Sequence, residues 1–320
     1  MATRGLGIII VNHETPALVL DCLRSLRPQV EGHPERRVVV VDNGSTDDSR
    51  SILEEALAVE ELASWASLLP LAENGGFSAG NNAGIRSLAA RRYLLLNSDT
   101  LVLPGALDAL EAAIDADSRL GILGAFLLSS EKEPQVSAFR FRSPFSEAIR
   151  AAATGPVTRL LRSFDVPLPP GDDTIDPEWV SFACVMIRNE VFQEIGLLDE
   201  GYFMYFEDID FCRRARRAGW RVGRAMDAPV IHLVGRSSEV ETALRNRGNL
   251  PRYFYASRSR YFARFYGGRL GLLTANLMWL AGRTVSLLRE SFGEKRPHLP
   301  VGEARGIWIN WLSPLGDHRG

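Results

Sequence analysis

Residues 6–26 read LGIIIVNHETPALVLDCLRSL. The run Leu6–Val11 is short, apolar and rich in β-branched residues, as a strand buried on both faces requires. It stops at the polar cluster Asn12-His13-Glu14. Thr15-Pro16 then supplies an N-cap and a first-turn proline, and Val19, Cys22, Leu23 and Leu26 follow at helical spacing. The same unit recurs downstream. Val38–Val41 predicts a second strand, closed by Asp42-Asn43-Gly44-Ser45, with Ile52, Leu53, Ala56 and Leu57 as the next helical stripe. Ser67–Ala72 predicts a third strand, and Tyr93–Leu96 a fourth that ends in Asn97-Ser98-Asp99. This β-α-β-α order implies an α/β fold with a mostly parallel central sheet flanked by helices. Ligands of such sheets bind beyond the carboxyl ends of the strands. Three of the four predicted strands end there in polar clusters, so a site is expected along that edge; as plain helix caps the same clusters would carry no chemistry.

Past residue 100 the patterning is less regular. Pro167–Asp173 reads as a loop, Trp179–Ile187 restores a regular pattern, Asp208–Arg217 predicts a helix and Val230–His232 a short strand. At 46% hydrophobic and 24% charged residues the chain is an ordinary globular mixture, not a disordered one. Cys22, Cys184 and Cys212 are too few and scattered for a disulfide framework or a zinc cluster, and are expected as buried thiols of a cytosolic protein. The N-terminal apolar run does not resemble a signal peptide.

Three stretches carry chemistry. In Asn97-Ser98-Asp99-Thr100 a carboxylate at a strand end stands beside other oxygen ligands, which suits a hard divalent cation shared with substrate phosphates. Asn74–Gly84 holds four glycines and three asparagines, allowing close approach of a ligand to the backbone. It is neither a P-loop nor a dinucleotide fingerprint, since no Gly-Lys-Ser/Thr follows and it does not succeed the first strand; a tight turn entering a helix is the alternative. In Tyr202–Asp210 the acids Glu207, Asp208 and Asp210 follow an aromatic run, where burial favours a raised pKa and general-base work, or where acids simply favour a helix N-terminus. His232 closes a short apolar run 24 residues after Asp208.

Taken in order, these segments resemble glycosyltransferase family 2, in particular its rhamnosyltransferase-like branch. The resemblance spans roughly residues 5–240. It rests on Ile10-Val11-Asn12, Val41–Asp47, Asn74–Gly84, Leu96–Asp99, and Leu198-Asp199-Glu200 through Phe203–Asp208, with Trp220 and His232–Ser238 continuing it. It implies a GT-A fold, the nucleotide-diphospho-sugar transferase architecture, and inverting transfer from a nucleotide sugar to a lipid-linked or polysaccharide acceptor. Carried over, Asp208 is the general base. Asn12, Glu14, Asp42, Asn74, Gly76, Asn82, Asn97 and Ser98 contact or shape the nucleotide-sugar site. Trp179, Phe182 and Glu207 line the acceptor or sugar pocket, and Asp99 with His232 serves Mg2+ or Mn2+. Glu14 and Phe182 depart from the family's usual pattern, and with them rhamnose is one candidate sugar among several. Residues 1–240 would form the transferase domain, with 1–100 as its donor half and 101–240 as the acceptor half that carries the base. Nucleotidyl transfer on a related fold and a catalytically silent membrane-surface scaffold are the rival readings.

The formal net charge of −2 conceals an asymmetry: residues 1–238 carry −9 and residues 239–320 carry +7. Between Glu241 and Glu290 there are nine arginines and no acid, interleaved with Tyr253, Phe254, Tyr255, Tyr261, Phe262, Phe265 and Tyr266. The uncharged stretch Leu270–Gly282 is too short to span a bilayer, which takes about 20 residues. Residues 241–320 are therefore expected as a basic, aromatic helical region. Through residues 245–289 it would lie on an anionic membrane surface and hold the protein peripherally at the inner face of the cell membrane. A packed helical hairpin or a homo-oligomer contact is the alternative. No nucleic-acid module accompanies the arginines, so nucleic acid is not an expected partner.

Overall fold

The computed structural model describes residues 4–172, 176–233, 239–293 and 298–316. Val234–Ser238 of the last family motif and Asp173 of the expected loop lie outside the described residues. The first part of the chain forms β1 (Arg4–Asn12), α1 (Pro16–Val30), β2 (Arg36–Asn43), α2 (Ser49–Val59), β3 (Ala66–Leu71), α3 (Gly76–Ser87) and β4 (Ala90–Asn97). Then follow β5 (Thr100–Val102), α4 (Ala106–Ala116), β6 (Leu120–Leu128), β7 (Ala138–Phe139), α5 (Pro144–Ala152) and α6 (Gly155–Leu160). After these come β8 (Trp179–Val180), β9 (Cys184–Arg188), α7 (Asn189–Ile195), α8 (Glu207–Arg217) and β10 (Arg221–His232). The last helices are α9 (Glu239–Asn246), α10 (Arg252–Phe265), α11 (Arg269–Ser291) and α12 (Glu303–Gly306). The chain divides into two compact units. The first gathers Met1–Phe139, Leu168–Glu200 and Glu207–Ser237; the second gathers Arg140–Pro167, Gly201–Phe206 and Ser238–Gly320.

The first unit is built on an eight-stranded sheet of order β3-β2-β1-β4-β9-β6-β10-β5. β3, β2, β1 and β4 run parallel, β9 runs antiparallel between β4 and β6, β10 is parallel to β6, and β5 is antiparallel to β10. Successive side chains of a strand point to opposite faces. Leu6, Ile8 and Ile10 accordingly share one core with Val19, Cys22, Leu23 and Leu26 of α1 and Leu107, Leu110 and Ile114 of α4. The opposite face meets α3 at glycines: a Cβ on Gly84 would lie 2.4 Å from Ile9, and one on Gly80 would lie 2.9 Å from Val11.

Three elements differ from the sequence reading. Trp179–Ile187 is two short strands, β8 and β9, parted by a turn in which Ser181 Oγ accepts the Ala183 N–H (3.3 Å). Leu120–Leu128, a strand the periodicity did not single out, is the central β6; its glycines leave room for Val180 beside Gly124 and for Trp220 beside Gly121. Val230–His232 is only the end of the long β10, whose pairing with β6 shifts register between Ala225 and Pro229, where proline has no N–H for the ladder.

The second unit is helical among its described residues. α5 starts on a capping box between Ser143 and Ser146, with Pro144 in the first turn. It packs on α11 at small residues: a Cβ on Gly282 would lie 2.4 Å from the Ala148 carbonyl oxygen. Arg258 of α10 is buried and donates to Glu147 Oε2 of α5 (3.0 Å) and to Asn276 Oδ1 of α11 (2.7 Å). Arg150 pairs with both Glu147 and Glu303, and Trp279 Nε1 donates to Glu303 Oε1 (3.1 Å). Burial alone would push the Glu147 carboxyl up, but Arg258, Arg150 and Arg142 outweigh it and hold it at about 2. Tyr255, Tyr261, Phe262 and Phe265 of α10 are buried as well. Part of the basic, aromatic pattern read from the sequence is thus the core of this unit.

Candidate active site

The register of the parallel strands sets the polar clusters side by side. Asn12 at the end of β1 is paired with Asp42 on β2, and Val11 with Asn97 on β4. Asn12 and Asp42 are both buried. Asn12 Nδ2 donates to Asp42 Oδ1 (2.9 Å) and to Ser45 Oγ (3.2 Å), while Ser45 Oγ donates to Asp42 Oδ1 (2.5 Å). Asn12 Oδ1 accepts from the backbone N–H and the hydroxyl of Thr15 (both 3.3 Å). Thr15 does stand at the N-cap of α1, but its hydroxyl serves this network rather than the helix. Every bond that orients Asp42 comes from the neighbouring strand end or from its own loop.

Glu14 has a left-handed backbone (φ 55°) and is exposed. Its N–H donates to Ser45 Oγ (3.0 Å), and its Oε1 accepts from the Thr46 hydroxyl (2.6 Å). The Thr46 hydrogen bonds hold the Glu14 carboxyl below its ordinary range. Glu14 therefore ties the loop after β1 to the loop after β2. Asn74 Oδ1 accepts from Asn43 Nδ2 and from the Gly76 N–H (both 2.9 Å), which fixes the turn entering α3. Gly76 occupies φ 82°, a conformation that favours glycine. Gly44, at φ 65°, lies so close to Glu73 and Asn74 that a Cβ would come within 2.4 Å of their backbone.

Asn82, which the resemblance assigned to shaping the nucleotide pocket, is buried on α3. Its Nδ2 donates to the Leu198 carbonyl (2.9 Å) and Glu200 Oε1 (3.0 Å), and its Oδ1 accepts the Leu198 N–H (3.1 Å). It clamps α3 to the turn after α7. Phe182 is buried edge-on against Phe211 (6.1 Å between centroids), and Trp179 is buried in a stack on Phe139 (4.1 Å, 14°).

Beyond β4, Ser98 Oγ lies 3.4 Å from Thr15 Oγ1. The antiparallel pairing of β5 with β10 sets Thr100 opposite His232, which brings His232 Nε2 within 3.5 Å of Asp99 Oδ1. The Leu233 N–H donates to the Asp99 carbonyl (2.8 Å) and Gln135 Nε2 to the His232 carbonyl (3.0 Å), so the backbones of both residues are pinned. Asn97 Oδ1 is buried without a hydrogen-bond partner among the described residues. A buried carboxylate, an imidazole and an amide oxygen are donors that fit a hard or borderline divalent cation. Among the described residues no three His, Cys, Asp or Glu side chains converge, so a cation held here would take its further ligands from water or substrate oxygens.

Glu207 and Asp208 open α8, which packs against β8 and β10. Tyr205 and Phe206, at φ 67° and 70°, make the sharp turn that leads into it. Glu207 is buried, and its Oε2 has no hydrogen-bond partner among the described residues. Burial, and then the charge of Asp208, push its carboxyl well above the usual range. Asp208 is half-buried, and its Oδ1 accepts the Ile209 N–H (2.8 Å). Asp210 is fully buried in an ion pair with Arg214 (2.6 Å) and is committed to structure. The cysteines are buried and free; burial pushes the Cys22 thiol up to about 12, which leaves it inert.

Sequence reasoning passed over Asn43, Ser45, Thr46 and Gln135 as individuals. The first three stand in the Val41–Asp47 motif next to Asp42, a signal that could have found them; Gln135 lies in a stretch without pattern.

The profile of glycosyltransferase-like family 2 matches residues 4–249. The chain belongs to that family. Among relatives of this family 2 glycosyltransferase, the low-salt glycan biosynthesis hexosyltransferase Agl10 of Haloferax volcanii is 30% identical over 237 residues, covering 71% of this chain and 66% of the relative. The N-acetylglucosaminyl-diphospho-decaprenol L-rhamnosyltransferase of Mycobacterium tuberculosis is 28% identical over 211 residues, covering 61% of this chain and 66% of the relative. Both alignments thus span slightly less than two thirds of the relative's length. Solved structures share the fold. GalNAc-T7 with UDP, GalNAc and Mn2+ superposes with a TM-score of 0.61 at 14% identity, over 97% of this chain and 55% of that one. The mannosyltransferase PcManGT of Pyrobaculum calidifontis, in complex with GDP-Man and Mn2+, gives 0.52 at 15% identity, over 98% and 86%. The fold of this family 2 member is GT-A.

Proposed function

We propose that this glycosyltransferase moves a sugar from a nucleotide-diphosphate donor to a hydroxyl of a lipid-linked or polysaccharide acceptor, with inversion at the anomeric carbon. The observation that carries the reading is the placement of the Asn12–Asp42–Ser45 network beside the Asp99–His232 pair at one end of the sheet, where ligands of such sheets bind. Asp42 and Asn12 receive the nucleoside, and the Asn74–Gly76 turn borders it. Asp99 and His232, with Asn97 beside them, would hold Mg2+ or Mn2+. Those residues would place a cation where it would supply charge neutralisation for the leaving diphosphate. The GT-A neighbours crystallised with Mn2+ and a nucleotide or nucleotide sugar support that assignment.

Asp208 acts as the base. As the acceptor oxygen attacks the anomeric carbon, its proton passes to the Asp208 carboxylate, and the bond to the diphosphate breaks with its electron pair leaving on the diphosphate. The transition state is oxocarbenium-like. Neighbouring carboxyls in different environments can divide such roles: burial, and then the charge of Asp208, push the Glu207 carboxyl well above its usual range, while Asp208 sits half-exposed on the first turn of a helix, where negative charge is favoured. Rhamnose is a leading donor sugar on similarity to the Mycobacterium tuberculosis relative, whose name also supports a lipid-diphosphate acceptor. Among the described residues no helix is long and apolar enough to cross a membrane. With a lipid-linked acceptor, we place the protein peripherally on the cytoplasmic face of the membrane.

The test is radiolabelled transfer from a panel of dTDP-, UDP- and GDP-sugars, with Mn2+ or with chelator. Asp208→Asn should lose about 10²-fold or more in turnover while still binding donor. Undiminished transfer in that variant would remove Asp208 as base; Mn2+ dependence unchanged in Asp99→Ala would remove the metal assignment.

A further inference from the structure

The sequence places the arginines and aromatic rings of residues 245–289 at a lipid surface, but the fold withdraws many of them. Arg258, Tyr255, Tyr261 and Phe262 are interior. Arg283 bonds Glu290 (2.6 Å), Arg289 donates to the Ala153 carbonyl at the end of α5 (3.0 Å), and Arg260 donates to the Leu315 carbonyl (3.0 Å). What α11 leaves in solvent is its leucines. Its inner face buries Leu272, Ala275, Asn276, Trp279, Gly282 and Ser286. Its outer face exposes Leu270 (68%), Leu277 (52%), Leu287 (50%) and Leu288 (57%), and Phe292 (79%) follows the helix end.

This helix buries an inner face that is mostly apolar, with Asn276 and Ser286 in it, and yet leaves a second set of large apolar side chains on its outer face. The hydroxyls on its outer side make no demand on solvent. Thr274 Oγ1 donates to the Gly271 carbonyl (2.8 Å), Thr284 Oγ1 to that of Leu280 (3.0 Å), and Ser291 Oγ to that of Leu288 (2.7 Å). The aromatic and charged groups expected at a membrane boundary stand at the start of the helix. Arg269 lies over the Trp311 ring (5.2 Å), Trp308 packs against Trp311 (5.5 Å), and Leu312 is 80% exposed. Arg252, Arg264 and Arg269 are exposed, and from 242 to 289 the chain has no acid to oppose an anionic surface.

We propose that the outer face of α11, with Trp308, Trp311 and Leu312, lies in the headgroup region of an anionic lipid bilayer, and that this face, not the arginine-aromatic pattern as a whole, docks the protein. Leucines enter the acyl boundary, the tryptophans sit at headgroup level and the exposed arginines meet lipid phosphates. The inference deepens the membrane part of the proposed function but needs no sugar transfer to hold.

The test is co-sedimentation of the full chain with vesicles of equal parts phosphatidylcholine and phosphatidylglycerol, against phosphatidylcholine alone. The wild type should bind the mixed vesicles, bind phosphatidylcholine weakly, and lose affinity as salt rises. The double variant Leu277→Glu/Leu288→Glu should lose about ten-fold or more in vesicle affinity. Val59→Glu, an exposed change on α2 of the first unit, should bind as the wild type does. Both variants are checked for an unchanged melting temperature. Failure of the wild type to bind mixed vesicles, full binding by the double variant, or light scattering that shows a stable dimer split by the leucine changes would overturn the proposal. Transfer to a water-soluble acceptor should survive in the double variant. A protein that binds vesicles but transfers no sugar would sink the transferase reading and leave this surface standing.

Discussion

Adjacent residues of one chain can differ sharply in burial, and Glu207 and Asp208 do. Glu207 is enclosed without a hydrogen-bond partner for Oε2 among the described residues, and its neighbour's charge adds to the cost of ionising it. A carboxyl raised in the folded state is destabilising once pH exceeds its unfolded value, because the folded form then binds the extra proton. Stability of the wild type should therefore fall as pH rises from about 4.3 through the raised folded value. Glu207→Gln removes that proton linkage. Its melting temperature relative to wild type should increase steadily between pH 5 and pH 8, read by circular dichroism; a difference flat in pH would contradict the account. The sequence located both acids, since an aromatic run before Glu-Asp is a legible signal. It could not divide their roles, because relative burial is set by packing and not by position in the chain.

At the scale of elements, α3 changes most between sequence and structure. Four glycines from Gly75 to Gly84 read as room for a ligand. Gly80 and Gly84 let the helix press on Val11 and Ile9 of β1, and the Asn74–Gly76 turn stands beside Asn43 at the end of β2. Asn82 follows the same logic, since both ends of its amide serve the turn at Leu198 and Glu200. Truncation at a buried site strands the Leu198 groups it satisfied. Asn82→Ala should lower unfolding free energy by about 2–3 kcal/mol in urea titration, with donor affinity of the folded protein unchanged. A loss of donor affinity without a loss of stability would place Asn82 in the nucleotide site. The strands themselves were legible from β-branched runs ending in polar clusters. β6 was not, because an unbroken apolar run has no period to distinguish strand from buried helix.

At the scale of the whole molecule, the charge asymmetry has two structural expressions. In the second unit, part of the surplus of arginine is neutralised internally around Glu147, which meets Arg258 at 2.9 Å, Arg150 at 3.2 Å and Arg142 at 3.5 Å. Removing the carboxylate leaves buried guanidinium groups uncompensated. Glu147→Ala should cost about 3–5 kcal/mol, seen as an earlier transition in denaturant. A carboxyl held down at about 2 contributes stability that is complete above its unfolded value and lost as pH falls through the folded one. Wild-type acid unfolding should therefore gain a component between about pH 4 and pH 2 that the variant lacks. Other arginines of the C-terminal region, among them Arg252, Arg264 and Arg269, stay at the surface.

In the first hundred residues the order of strands and helices and the identity of the residues at the strand ends were legible in the sequence, because side-chain period and strand-terminating polar clusters are local properties. Parallel pairing follows from that order, and with it Asn12, Asp42 and Asn97 share one edge. Which polar groups pair with one another inside the fold came only with tertiary contacts. Asn82 meets Leu198 across 116 positions and Arg258 meets Glu147 across 111. A buried polar group takes its partner from whatever the fold brings near, and no local pattern encodes that partner. The same reason governs α11. Its sequence marked an uncharged stretch in a basic region, but Arg283 and Arg289 are claimed by Glu290 and the end of α5, and so leucines, with Arg269 at its start, are what it shows to its surroundings.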